Sequence, residues 1–154
     1  MIQAHFAAMI GVGFVILAGC GERGEIIVPV SGTVRLDGAP MAAGEVGFIT
    51  FQPRAGRAAI GKIDPSNGAF TLSTNEAGDG VLVGEHEVTV SVNATGAGGN
   101  PISLIPKKYQ EFATSGLNVT IDGPTDSLII ELEGPLKRHV KTYDPAALGD
   151  DPGF

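Results

Sequence analysis

Apolar and polar residues alternate in short stretches along most of this chain of 154 residues. The clearest repeat places Val88, Val90 and Val92 between charged or hydroxylated neighbours. A period of two residues puts successive side chains on opposite faces, which is typical of a half-buried β-strand. The pattern predicts seven short strands, at residues 26–36, 46–52, 58–63, 70–72, 88–92, 117–121 and 128–132.

Turn residues separate these strands and complete the fold prediction. Asp37-Gly38 and Asn67-Gly68 tolerate left-handed backbone, so each pair is expected to reverse the chain in a hairpin. Gly32 lies inside the first strand and indicates a bulge or a close approach of a second sheet. Residues 93–116 are long for a hairpin loop, and Pro106 predicts one short helical turn within them. Seven strands without a long helix, in a chain with 23 glycines and 10 prolines, predict an all-β domain: a seven-stranded antiparallel β-sandwich of two sheets.

The first twenty residues have a different pattern. An apolar run at 6–18 is shorter than the roughly 20 residues of a membrane-spanning helix, and it leads into Leu17-Ala18-Gly19-Cys20. This arrangement resembles the lipobox of bacterial lipoproteins. The resemblance implies that signal peptidase recognises Leu17, Ala18 and Gly19, and that Cys20 carries acyl chains such as palmitate. The Lys or Arg that normally opens a signal peptide is missing, which is a departure from the pattern. The alternative is that Cys20 is a buried free thiol beside a hydrophobic N-terminus.

These assignments divide the chain into four parts. We expect a signal peptide at 1–19, the lipidated cysteine and a short tether at 20–25, the β-sandwich at 26–133, and a flexible tail at 134–154. The tether spans at most about 17 Å, so the domain is expected to lie close to the bilayer. The predicted location is outside the cytoplasm, at the outer membrane, its periplasmic face or the cell surface. Membrane lipid is the expected partner, through acylated Cys20.

Composition and charge exclude several classes of function. The formal net charge is −7 and no basic stripe is present, so nucleic acid is not an expected partner. A single cysteine forms no disulfide within the chain, and acylation of Cys20 would remove all thiol chemistry. Tryptophan is absent, which argues against an aromatic platform for sugars.

Several short motifs, taken in order, point to a known family. They are VSGTVRLDGAP at 30–40, GEVGF at 44–48, NGAFTL at 67–72 and GEHEVTV at 84–90, followed by IPKKY at 105–109 and TSGL at 114–117. This order resembles small bacterial lipoproteins with a carboxypeptidase regulatory-like domain. The resemblance implies a transthyretin-like (prealbumin-like) sandwich, related in architecture to immunoglobulin-like domains, and it implies location more than activity. One enzyme branch of the transthyretin-like folds ends in a Tyr-Arg-Gly-Ser-type motif. This chain lacks that motif, so the activity is not carried over.

Residues that carry chemistry are sparse. His86 lies between two glutamates on a predicted strand, where its parity with Val88 favours a tolerated edge histidine. His139 lies in the predicted tail, and neither histidine has a partner at metal-ligand spacing. Asp64, Asn67 and Asp79 offer oxygens that calcium binds, although turn residues bonded to their own backbone are the favoured interpretation.

A small basic and aromatic spot is formed by Lys107, Lys108 and Tyr109. It is a candidate contact for an anionic polymer or headgroup, with a solvated loop as the favoured alternative.

The sequence therefore predicts a lipid-anchored, exported and non-catalytic module without a cofactor. Its expected role is to bind or support an unidentified envelope protein or polymer. The alternative is a small ligand carrier or hydrolase on the same scaffold, which predicts a concave pocket near His86 or Asp79.

Overall fold

Strands occupy most of residues 25–137, the part of the chain that the computed structural model describes. Numbered in chain order, they are β1 (Ile27–Val28), β2 (Val30–Leu36), β3 (Ala39–Pro40), β4 (Val46–Pro53), β5 (Ala59–Ile63), β6 (Ala69–Ser73), β7 (Val81–Leu82), β8 (Gly84–Thr95), β9 (Pro101–Ser103), β10 (Leu117–Ile121) and β11 (Thr125–Leu132). Two 3₁₀ turns, Ala97–Gly99 and Lys107–Gln110, and one short helix, α1 (Phe112–Ser115), lie between β8 and β10. Strands form at all seven predicted positions, as β2, β4, β5, β6, β8, β10 and β11, so the all-β prediction is confirmed. The described residues form four further short strands, and the predicted strand at 26–36 is divided into β1 and β2, which belong to different sheets.

The main sheet follows the strand order β10-β8-β4-β5-β6-β2-β11, with β3 paired to β2 and β9 paired to β8. It curls into a sandwich-like half-barrel, and β1 with β7 forms a separate two-stranded sheet. Most pairs are antiparallel as predicted. The pair β2–β11 is parallel, however, so the prediction of a purely antiparallel sandwich was wrong at this position. The predicted sandwich has two separate sheets. In the structure, a continuous hydrogen-bonded path from β10 to β11 joins all seven main strands in one sheet.

The core lies inside the curl of the sheet. Along β2 the side chains alternate between buried and half-buried, and along β8 Val88, Val90 and Val92 are buried as the two-residue period predicts. Phe51 of β4 is fully buried, with its ring centroid 6.4 Å from that of Phe70 on β6. On the same β4 strand the apolar Phe48 points outward and is 43% exposed, because its parity is opposite to that of Phe51.

The predicted turns form where the sequence places them. Asp37 and Gly38 have φ values of 50° and 80° and join β2 to β3, and Gly68, with φ 74°, lies in the turn between β5 and β6. The predicted helical turn follows Pro106 directly. Within the same long segment, β9 turns back onto the end of β8.

The residues that follow β11 contact the domain as far as the structure describes them. The amide of Gly134 donates to Asp37 Oδ1 at 3.1 Å, and the amide of Lys137 donates to the Leu104 carbonyl at 2.9 Å. Residues 138–154, the rest of the predicted flexible tail, lie outside the described residues.

Candidate functional site

The predicted anchor lies upstream of the described chain. Leu17, Ala18, Gly19 and Cys20 are outside the described residues, and so is His139. The described chain begins at Glu25. Its first residues are held to the domain by a hydrogen bond from the Val83 amide to the Ile26 carbonyl at 2.9 Å. Within residues 25–137, no helix has the length and apolar character needed to cross a membrane.

Asp64 and Asn67 occupy the turn between β5 and β6, where their side chains accept hydrogen bonds from nearby residues. Asp64 Oδ1 accepts from the Ser66 amide at 2.8 Å and from the Ser66 hydroxyl at 2.6 Å. Asn67 Oδ1 accepts from the Ala69 amide at 2.9 Å. These contacts are the local turn bonds that the favoured interpretation predicts. The bonds from Ser66 also lower the pKa of the Asp64 carboxyl.

Asp79 organises the loop between β6 and β7. One carboxylate oxygen accepts from the Thr74 amide at 2.7 Å, and the other accepts from the amides of Asn75 and Glu76 at 2.9 and 3.0 Å. Both oxygens are therefore engaged by backbone. Across the described part of the chain, no three His, Cys, Asp or Glu side chains are grouped closely enough to hold a metal ion. Calcium binding by these residues stays a prediction.

The bonds to Asp79 predict a pH-dependent stability. The backbone amide of Thr74 is the largest cause that lowers the pKa of the Asp79 carboxyl below its ordinary value of 3.8. A carboxyl with a depressed folded pKa stabilises the fold above its unfolded pKa, and this stabilisation is lost as pH falls through the folded pKa. Asp79→Asn is therefore expected to lower the melting temperature by a few degrees at pH 6, and this deficit should shrink as the pH falls below 3.8, as followed by calorimetry.

The matched control for Asp79 is Asp122→Asn, because the Asp122 side chain accepts no hydrogen bond from residues 25–137. Its melting temperature is expected to follow that of the wild type at every pH. If the melting-temperature deficit of Asp79→Asn did not shrink as the pH fell below 3.8, the role given to the ionised carboxylate would be contradicted.

The basic and aromatic spot is only partly on the surface. Lys107 and Lys108 are exposed, whereas Tyr109 is 3% exposed and belongs to the core. The tyrosine hydroxyl accepts from the Glu133 amide at 2.7 Å and donates to the Glu133 carbonyl at 3.1 Å. The Tyr109 hydroxyl therefore links the segment before α1 to the residue that follows β11. Because the ring is buried, it is not available to a partner. Binding of an anionic partner by the two lysines stays a prediction.

His86 is an interior residue of the sheet. Its side chain is 2% exposed, Nε2 donates to the Leu82 carbonyl at 2.7 Å, and the ring centroid lies 5.8 Å from that of Phe51. Nδ1 has no hydrogen-bond partner within the described structure. The shared parity with Val88 is confirmed, but β8 has neighbours on both sides, so the expected edge position was wrong.

A groove of about 590 Å³ crosses three strands on the outer face of the sheet beside His86. Pro53, His86 and Val119 pair in register across β4, β8 and β10. Because successive side chains alternate, their neighbours along each strand point to the opposite face and form two polar rows. We call this feature the cross-strand groove; one row is Gln52, Glu87 and Asn118, and the other is Arg54, Glu85 and Thr120.

Much of the hydrogen-bonding capacity of the cross-strand groove is unused. Arg54 Nη2 lies 2.8 Å from Glu85 Oε2, and the Gln52 amide nitrogen donates to the Pro53 carbonyl at 3.1 Å. Among the described residues, none donates to or accepts from the side chains of Glu87, Asn118 and Thr120. A concave polar site is thus present near His86, as the ligand-carrier alternative predicts. In the sequence, Glu85 and Glu87 stand out only as the neighbours of His86, and the other members of the groove were not predicted.

Comparison of the chain with protein-family models, with curated proteins and with solved structures finds no match.

Proposed function

We propose that this protein is a lipid-anchored, exported β-sandwich module that binds a partner in the bacterial cell envelope. The observation that carries the proposal is the Leu17-Ala18-Gly19-Cys20 motif at the end of an apolar run, closely followed by a folded domain. Seven steps along the chain separate Cys20 from the start of β1 at Ile27, a distance of at most about 25 Å. Acyl chains on Cys20 would hold the domain against the bilayer, each buried methylene contributing about 0.8 kcal/mol.

The test is the replacement of the acceptor sulfur. In Cys20→Ser, we expect the protein to move from the membrane fraction to the soluble fraction or to remain unprocessed, because a hydroxyl is not the acceptor of the diacylglyceryl group. Mass spectrometry of the wild type should find an N-terminus that begins at acylated Cys20. Fractionation of cells that express each variant measures the change.

Gly21→Ser is the matched control, since it changes the adjacent residue and keeps the sulfur. It is expected to fractionate with membranes as the wild type does. A wild-type chain that retains Met1 overturns the proposal, and so does a Cys20→Ser chain that has lost its first nineteen residues and still sediments as completely as the wild type.

We further propose that the domain is transthyretin-like and of the carboxypeptidase regulatory-like kind. The order of its motifs supports this assignment, together with the left-handed turns at Asp37-Gly38 and Gly68. An experimental structure whose strand order and connections superpose on those of transthyretin-like domains would support it, and a different connectivity would refute it.

A small-ligand carrier is the second candidate, favoured by the cross-strand groove. Its volume falls within the roughly 300–1,000 Å³ typical of ligand pockets. Screening small metabolites by thermal shift separates the candidates, because a carrier is stabilised by a compound of low molecular weight and an adaptor by a macromolecule.

A further inference from the structure

The arrangement of charge in the cross-strand groove defines the ligand that it fits. Glu85 and Glu87 lie two residues apart on β8, so their side chains stand on the same face about 7 Å apart along the strand. They face each other across the middle of the groove, over the backbone of His86. Because the glutamate side chains are flexible, each can bring one oxygen within hydrogen-bond distance of a single ammonium or guanidinium group placed between them.

The two carboxylates differ in what already neutralises them. Glu85 forms an ion pair with Arg54, and the two side chains are 64% and 86% exposed. Glu87 has no such partner within residues 25–137. Two carboxylates and one guanidinium leave the groove with a formal charge of −1, matched by a ligand with one positive charge. Asn118 and Thr120, at the β10 end of the groove, add a neutral amide and a hydroxyl that hydrogen-bond to a peptide backbone.

We propose that the cross-strand groove binds a lysine or arginine side chain presented by a segment of another envelope protein. This inference rests on the proposed function, and it names the partner as a basic polypeptide. The formal net charge of −7 steers such a partner toward this protein. The two rows contain no aromatic side chain, so a sugar ring would find no stacking surface there.

The probe is a pair of hexapeptides, Ac-Gly-Ser-Lys-Gly-Ser-Gly-amide and its uncharged analogue with norleucine in place of Lys. The native protein in detergent micelles is labelled with ¹⁵N and titrated with each peptide. We expect amide shifts at Gln52, Arg54, 85–87 and 118–120 with the charged peptide only. In Glu87→Gln the affinity for the charged peptide should fall about tenfold, since a charge-assisted hydrogen bond is lost. Raising the salt from 50 to 300 mM should weaken binding as well.

Glu76→Gln is the matched control, because it removes the same charge from an exposed position in the loop between β6 and β7. It should bind the charged peptide within twofold of the wild type. Equal binding of the two peptides, shifts centred outside the groove, or an unchanged affinity in Glu87→Gln overturns the inference. If free lysine amide binds as tightly as the peptide, the groove is a site for small amines and the assignment of a protein partner is refuted.

The outcome is independent of the anchor experiment. Peptide binding is measured in micelles without added vesicles, so it does not depend on acylation of Cys20. Binding by a chain whose Cys20 proves unmodified would support the groove and refute only the envelope location. Failure to bind by a correctly acylated chain would refute the groove and leave the anchor standing.

Discussion

Phe51→Ala is expected to lower the free energy of unfolding by about 4 kcal/mol, within the usual range for a buried phenylalanine. The Phe51 side chain is fully buried on β4 in the middle of the sheet, between the rings of Phe70 and His86. Truncation removes apolar contact on both sides and leaves a cavity that neighbouring strands cannot close. Urea unfolding followed by circular dichroism measures the change as a lower midpoint at constant slope.

Phe48→Ala is the matched control for this substitution, because it removes the same ring from the same strand. Phe48 is 43% exposed and lies on the outer face, so its loss is expected to cost less than about 1 kcal/mol. Similar losses in the two variants would contradict the side-chain parity assigned to β4.

Gly32→Ala is expected to destabilise the protein by about 3 kcal/mol, a large effect for the addition of one methyl group. A Cβ at position 32 would overlap the carbonyl of Leu128, with 2.8 Å to its carbon and 2.9 Å to the Leu128 Cβ. The carbonyl belongs to the backbone of β11, where the register shifts between Thr125 and Leu128. Relief of the overlap therefore requires the paired strands to separate. Calorimetry and native-state hydrogen exchange of the β11 amides measure the loss.

Gly123→Ala tests whether the effect at Gly32 comes from the close approach and not from the glycine itself. A Cβ at Gly123 has no heavy atom within 4 Å, so the stability should change by no more than about 0.5 kcal/mol. If Gly32→Ala proved as stable as Gly123→Ala, the tight pairing of β2 with β11 would be incorrect.

The two-residue period predicted the strands well because burial of one face is a local property of the sequence. Along β8, successive side chains point alternately into the core and toward water. Valine occupies the buried positions, and Glu, Thr and Ser occupy the outward ones. The same holds for Gly38 and Gly68, whose positive φ values are required by turns of a few residues. For Gly32, the sequence indicated a bulge or a close approach of a second sheet, whereas the approach comes from β11, the neighbouring strand of the same sheet.

Strand pairing was less accessible from the sequence, because a period of two is the same in parallel and antiparallel neighbours. Nothing in the alternation along β2 or β11 indicates that the two strands run in the same direction. Antiparallel pairing was the natural expectation for short strands joined by tight turns.

The cross-strand groove could not be predicted either, because it depends on which strands are paired. Its members come from three separate segments of the chain, and only the register of β4, β8 and β10 makes them neighbours. The available clue was the pair of glutamates at 85 and 87, which share one face of a strand. Tyr109 was misjudged for a related reason: its partner, the backbone of Glu133, is distant in sequence.

Because β2 is held between β6 and β11, the first long strand completes its pairing only when the last one arrives. Nearly the whole described chain must be brought together for this contact, and such non-local closure slows folding. A ribosome-bound chain that lacks β11 is therefore expected to stay open, and compaction of the domain awaits synthesis of its final strand.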